Sequence, residues 1–181
     1  MKTISNIFII TTVFLMIGCA SLNDAVTPSL EVERDSFDST LRITQPSVSS
    51  SGISENMHTL GFTWNENTPD VVYVTVGAYG IVNINDVEFN VDGTFIQSAE
   101  TASSATDYGS SFNSTDFSTR RFLIPIDDFV QIITGNVVKM KVYHIDTYSL
   151  SSFGRGVEGM RTINTKLQPF LDRLALEGAL D

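Results

Sequence analysis

Few residues in this chain are equipped for chemistry. It holds one cysteine, Cys19, and two histidines, His58 and His144, among 181 residues. A single thiol closes no internal disulfide and builds no thiolate metal cluster. Two imidazoles leave little material for a zinc centre or for histidine-based proton transfer. The best catalytic candidate is His144-Ile145-Asp146, which sets an imidazole and a carboxylate on one side of an extended segment. With one of the many serines it could form the Ser-His-Asp arrangement of a hydrolase. No Gly-x-Ser-x-Gly turn is present to display such a serine. The expectation is therefore a non-enzymatic protein with no catalytic residue and no cofactor, in which His144 is a satisfied strand-end or surface histidine. A hydrolase using His144 and Asp146 is the alternative.

Other polar clusters have plain structural explanations. Glu88, Asn90 and Asp92 place oxygens at alternate positions before Gly93, the spacing of a calcium loop. The first ligand would be Glu rather than Asp, and the closing Glu100 comes one residue late, so the polar side of a hairpin explains the pattern. Arg120, Arg121, Lys139 and Lys141 are the main central cations, and Lys139 and Lys141 are expected to pair with acids across a strand. An anionic partner is the sharper alternative. The formal charge of −10 argues against nucleic acid and against a polybasic hold on lipid. Phe112 and Phe117 stand in a polar stretch and must dock on the core or on a partner.

The cysteine has an informative setting. Lys2 opens the chain, an apolar run spans Ile7 to Ile17, and Gly18 and Cys19 close it. A positive start, a short apolar run and a small residue describe a secretory signal segment, too short to span a bilayer. Met16-Ile17-Gly18-Cys19 resembles the lipobox of bacterial lipoproteins, with Met where that family prefers Leu. The resemblance implies cleavage after Gly18, a diacylglyceryl group on the Cys19 thiol and an acylated, palmitate-bearing amino terminus. Ala20 and Ser21 follow rather than Asp, which in that family implies sorting to the outer membrane, facing the periplasm. The inner membrane's outer leaflet and the cell surface are the alternatives. Several acyl chains anchor stably where one binds only marginally. The implied partners are the membrane, through the lipid, and an envelope protein.

The elements around these residues can be read from periodicity. Residues 1–18 are the targeting segment, 19–35 a lipidated terminus and short tether, and 36–181 one α+β domain. At ~3.3 Å per residue a dozen tether residues reach about 40 Å at most. Strands are expected over Thr40–Gln45, His58–Trp64 and the valine-rich stretch beginning at Val71, with Gly77 and Gly80 marking a bulge or bend. Asp92-Gly93 suits a two-residue hairpin turn between Val91 and Thr94. Residues 98–119 read as a long loop with some strand character at one end. Arg121–Ile124 is a strand ended by Pro125. A short helix follows near 127–134, with Asp127 as N-cap, Phe129, Ile132 and Ile133 on one face, and Gly135 closing it. Val138–Val142 is another strand, the serine-rich stretch from Ser149 a loop, and an amphipathic helix begins near Val157, kinked or divided about Gln168 by Pro169. The fold class is α+β, an antiparallel sheet with helix on one face, or a β-sandwich with a terminal helix. This layout loosely resembles that of uncharacterised bacterial envelope proteins, a likeness that implies no catalytic residue. A lipid or small-ligand carrier with a cavity between sheet and helix is a further alternative.

Overall fold

The computed structural model describes residues 27–52, 55, 57–96, 100–103, 105–110, 116–159 and 161–180. The targeting segment, Gly18, Cys19, Phe112 and Met160 lie outside the described residues. In chain order the elements are β1 (Glu31–Arg34), β2 (Leu41–Ser49), β3 (His58–Asn65), β4 (Val71–Tyr79), β5 (Asp86–Val91), β6 (Thr94–Ile96), β7 (Glu100–Thr101), β8 (Asp107–Ser110), β9 (Asp116–Pro125), α1 (Ile126–Thr134), β10 (Val138–Tyr143), β11 (Tyr148–Phe153), a 3-10 turn (Thr162–Thr165) and α2 (Leu167–Leu176). The strands form two antiparallel sheets. The larger runs β1-β2-β3-β4-β9-β7, with β8 also on β9, and the smaller runs β11-β10-β5-β6. With α1 and α2 packed on the same core, the fold is α+β.

Strand β4 lies between β3 and β9 at the centre of the larger sheet. Val72, Val74 and Val76 are fully buried on one face, while Tyr73 and Thr75 point the other way. β-Branched residues at period two suit such a surface. In the smaller sheet, Asp92 and Gly93 both take positive φ, 51° and 98°, the geometry of the tight hairpin joining β5 to β6.

Several expectations are corrected. Strand β1 occupies Glu31–Arg34, inside the stretch taken as tether, because its residues pair with Leu41–Thr44 and Leu30 packs on the core. Strand β2 runs past Pro46 to Ser49. A register shift between Gln45 and Val48 absorbs the proline, and β1 has already ended on that side, so the missing N–H breaks no ladder. Gly77 forms no bulge. A Cβ there would lie 2.3 Å from Thr59 Oγ1 and 2.4 Å from the Phe117 ring, so the glycine makes room for neighbours. Much of 98–119 is strand: β7, β8 and the start of β9. Strand β11 replaces the loop expected over the serines, pairing along its whole length with β10.

The helices differ in detail too. Strand β9 pairs as far as Pro125, so helix α1 starts at Ile126, and Asp127 sits in the first turn without capping. Its carboxylate and that of Asp128 still complement the helix dipole. Gly135 has φ −56° and is not left-handed; a Cβ there would lie 2.7 Å from Val91 and 2.8 Å from Val138. At the other end, Asn164 exchanges two hydrogen bonds with the Gly154 backbone, which replaces the expected first turns by an irregular segment. The two helical pieces meet at Lys166, and Pro169 falls in the first turn of α2, where a missing N–H breaks no bond.

Three rings dock the helices on the larger sheet. Phe129 of α1 meets Phe62 of β3 at 5.0 Å, Phe170 of α2 meets Phe62 at 5.5 Å, and Phe129 meets Phe170 at 5.7 Å. All three are buried. Phe129→Ala should lower stability in urea unfolding by about 3–5 kcal/mol. Phe37→Ala, at a residue 97% exposed, should leave the midpoint unchanged.

Candidate functional site

The chain's two histidines meet. Ser149 Oγ on β11 lies 2.7 Å from Nε2 of His58, the first residue of β3, and 2.9 Å from Nε2 of His144, just past β10. His58 and Ser149 are 91 positions apart and belong to different sheets. A hydroxyl carries one proton and two lone pairs. Ser149 can therefore donate to at most one imidazole, and when it does the two Nε2 atoms play opposite roles. The assignment that satisfies most groups has His144 Nε2–H donating to Ser149 and Ser149 donating to His58. His58 Nδ1–H then faces Ser51 Oγ at 3.5 Å, and the buried Nδ1 of His144, which has no partner among the described residues, is left as a bare lone pair instead of a stranded donor. This relay stitches one sheet to the other.

Asp146 does not join it. It lies exposed in the turn before β11 and makes no hydrogen bond to His144, so the His144–Asp146 pairing of the hydrolase alternative is not formed. The carboxylate that lines the same cleft of about 350 Å³ as the relay is that of Glu55, together with Met57 and Tyr79. Glu55 is otherwise engaged. One oxygen accepts from the Gly52 N–H at 3.1 Å and the other from Arg161 at 2.6 Å. Burial opposes ionisation of Glu55, yet the Gly52 N–H, the Arg161 guanidinium and the Ser152 N–H together hold its carboxyl below the ordinary range. Arg161 is 6% exposed and also donates to the carbonyls of Glu158 and Gly159. The pair thus ties the segment before β3 to the segment before α2.

The other candidates are accounted for by structure. Glu88 accepts from Tyr143 Oη at 2.6 Å, Asn90 accepts from the Gly93 N–H, and both Asp92 oxygens accept backbone N–H groups, from Asn136 and Val137. These carboxylates order a hairpin and its neighbour. Lys141 stands opposite Glu88 in register but forms no ion pair with it; its Nζ lies 4.5 Å and 4.3 Å from the centroids of Tyr143 and Tyr148. Tyr143 already holds Glu88, and the ring faces attract the cation instead. Arg120 donates to the carbonyls of Ile84, Asn85 and Ser103. Phe117 packs edge-on against Tyr79 at 5.3 Å, over Gly77.

A different hollow is larger. A half-open groove of about 710 Å³ lies where both helices meet the edge of the larger sheet. Its floor is Leu41, Trp64, Ile126, Val130, Leu171 and Leu180. Its rim carries Glu66, Asp70, Asp127 and Glu177 against the single Arg34. No motif announces it, because its walls come from separated segments; only the lone tryptophan of the chain marks it in the sequence.

Comparison with protein-family models, with curated proteins and with solved structures finds no match. Among the described residues no helix is long and apolar enough to cross a membrane.

Ser149→Ala should lower stability by roughly 1–3 kcal/mol, since it leaves ring nitrogens without a partner. Glu55→Gln tests the second cluster through pH. A carboxyl whose folded value is depressed stabilises above its unfolded value, and that stabilisation is lost as pH falls through the folded one. Wild type should therefore exceed the variant by about 1–2 kcal/mol at pH 7. The gap should close on acidification below the ordinary glutamate range, read as urea midpoints across pH.

Proposed function

We propose that this chain is a lipid-anchored, non-enzymatic binding or assembly module of a bacterial cell envelope. It would be held through Cys19 to the outer membrane, facing the periplasm, and work on an envelope protein partner. The observation that carries the anchoring is the order of Lys2, the apolar run, Gly18 and Cys19. The early start of β1 agrees with it: few residues separate Cys19 from the folded domain, which would sit close to the bilayer.

The non-catalytic part is supported by how the candidate groups are used. His144 and His58 both hold Ser149 in place between the sheets. A nucleophilic serine needs a base that is itself oriented by a third group. Glu55, the carboxylate in the cleft, is spoken for by Arg161 and Gly52. A carrier with a cavity between sheet and helices would need space that Phe62, Phe129 and Phe170 fill.

One observation favours a second reading. A serine within 2.9 Å of two imidazoles has the bases for hydrolysis at hand. A fluorophosphonate probe separates the two: no adduct at Ser149 is expected, and stoichiometric labelling would make the protein a serine hydrolase. For the anchor, cells fed labelled palmitate should incorporate it into wild type and not into Cys19→Ser, and the variant should leave the outer-membrane fraction. Equal labelling of both would overturn the proposal.

A further inference from the structure

We infer that the groove beside Trp64 receives a basic, amphipathic peptide segment of a partner protein. The inference rests on the proposed role as a binding module and names the chemistry of what is bound. The floor is apolar and partly uncovered: Ile126, Val130 and Leu171 are half-buried there, with no described side of the fold left to cover them. Trp64 is 3% exposed and donates its indole N–H to the Pro69 carbonyl at 3.1 Å, so it lies beneath the half-buried residues of the floor and brings no polar group to it. Beyond Gly178, whose φ of +73° turns the backbone, Ala179 N–H returns to Leu174 and Leu180 packs on the core, giving the groove a built wall.

The rim decides the sign of the occupant. Of its carboxylates, Glu66 lies 3.4 Å from Arg34, and Glu177 is paired with Arg173. Asp70 and Asp127 have no cationic partner among the described residues. Their backbones lie side by side, because Ile126 N–H donates to the Asp70 carbonyl at 2.9 Å where β4 and α1 begin. Two neighbouring carboxylates without a cationic partner among the described residues, over an apolar floor, favour lysine or arginine on an apolar segment and repel anions. The chain's net charge of −10 acts in the same direction at longer range. Anionic lipid and nucleic acid are disfavoured by the same charge. The volume of about 710 Å³ is in the range of ligand sites, and the half-open shape lets a polypeptide pass along it.

Trp64 is the only tryptophan, so its emission reports on the groove alone. The probe is a short Lys/Leu amphipathic peptide without aromatic residues, added to the full chain carrying Cys19→Ser in a non-ionic detergent, with detergent as blank. A saturable change in Trp64 emission is expected, weakening as salt is raised. The matching Glu/Leu peptide should give none. Asp70→Lys, at an exposed turn residue, should weaken binding by about tenfold, equivalent to ~1.4 kcal/mol, with Asp127→Asn as the milder second variant. Asp70→Lys should keep the wild-type unfolding midpoint, and Asp127→Asn should lower it only slightly, by the lost helix-dipole contact. Absence of any saturable change, an equal response to the acidic peptide, or unchanged affinity in both variants would overturn the inference. Because the protein used has no lipid, a failure here is distinct from a failure of the palmitate experiment.

Discussion

The positions of both helices depend on three phenylalanine rings. Phe62, Phe129 and Phe170 come from β3, α1 and α2, and each touches the other two. Moving any one element breaks two ring contacts. Helix α1 has 9 residues and α2 has 10. Isolated helices below about 12–15 residues are marginal in water. These two are helical because their apolar faces are buried, and the rings fix where that burial occurs. Edge-on pairs contribute about 0.5–1.5 kcal/mol each beyond their area. The groove inherits its geometry from this docking: Asp127 and Val130 ride on α1, Leu171 on α2, and Trp64 on the strand that carries Phe62.

The polar clusters do a different job. Apolar burial is non-directional, so it compacts the two sheets without choosing how their edges meet. Hydrogen bonds choose. The His58–Ser149–His144 relay joins β3 to β11, the outer strand of the smaller sheet, and the Arg161–Glu55 pair joins the segment before β3 to the segment before α2. The strand's serines thus face a structural demand that apolar residues could not meet: Ser149 must present a hydroxyl to two rings at once.

This also explains what could be read from residues alone. Strand β4, the Asp92-Gly93 hairpin and the apolar face of α1 were legible because pattern and local geometry agree. Strand β11 was not, since serine has little strand preference and its reason for being there lies 91 positions away in His58. Strand β2 past Pro46 was hidden because proline normally ends a strand, and only the early end of β1 makes it harmless. Gly77 reads as a bulge or bend and Gly135 only as a helix end, yet both are also points of close packing, a feature set by neighbours from other segments. The groove was invisible for the same reason: Trp64, Asp70, Asp127 and Leu171 form a site only through tertiary docking.

Anchor and groove, if both hold, constrain each other. Arg34 closes β1 and lines the groove, while Glu31 opens the same strand. At ~3.3 Å per residue, the point where the chain enters the domain lies about 10 Å from that rim. An anchor at Cys19 would therefore hold the groove within a short tether of the bilayer surface. Carboxylates at Glu66, Asp70 and Asp127 would be repelled by anionic lipid, and within a Debye length of roughly 8 Å that repulsion is not screened away. The domain would then turn its groove off the membrane plane, toward the periplasm or along the surface, where a basic segment of a neighbouring protein could reach it. The same negative rim that selects the partner's charge would keep the site from being covered by the membrane that holds it.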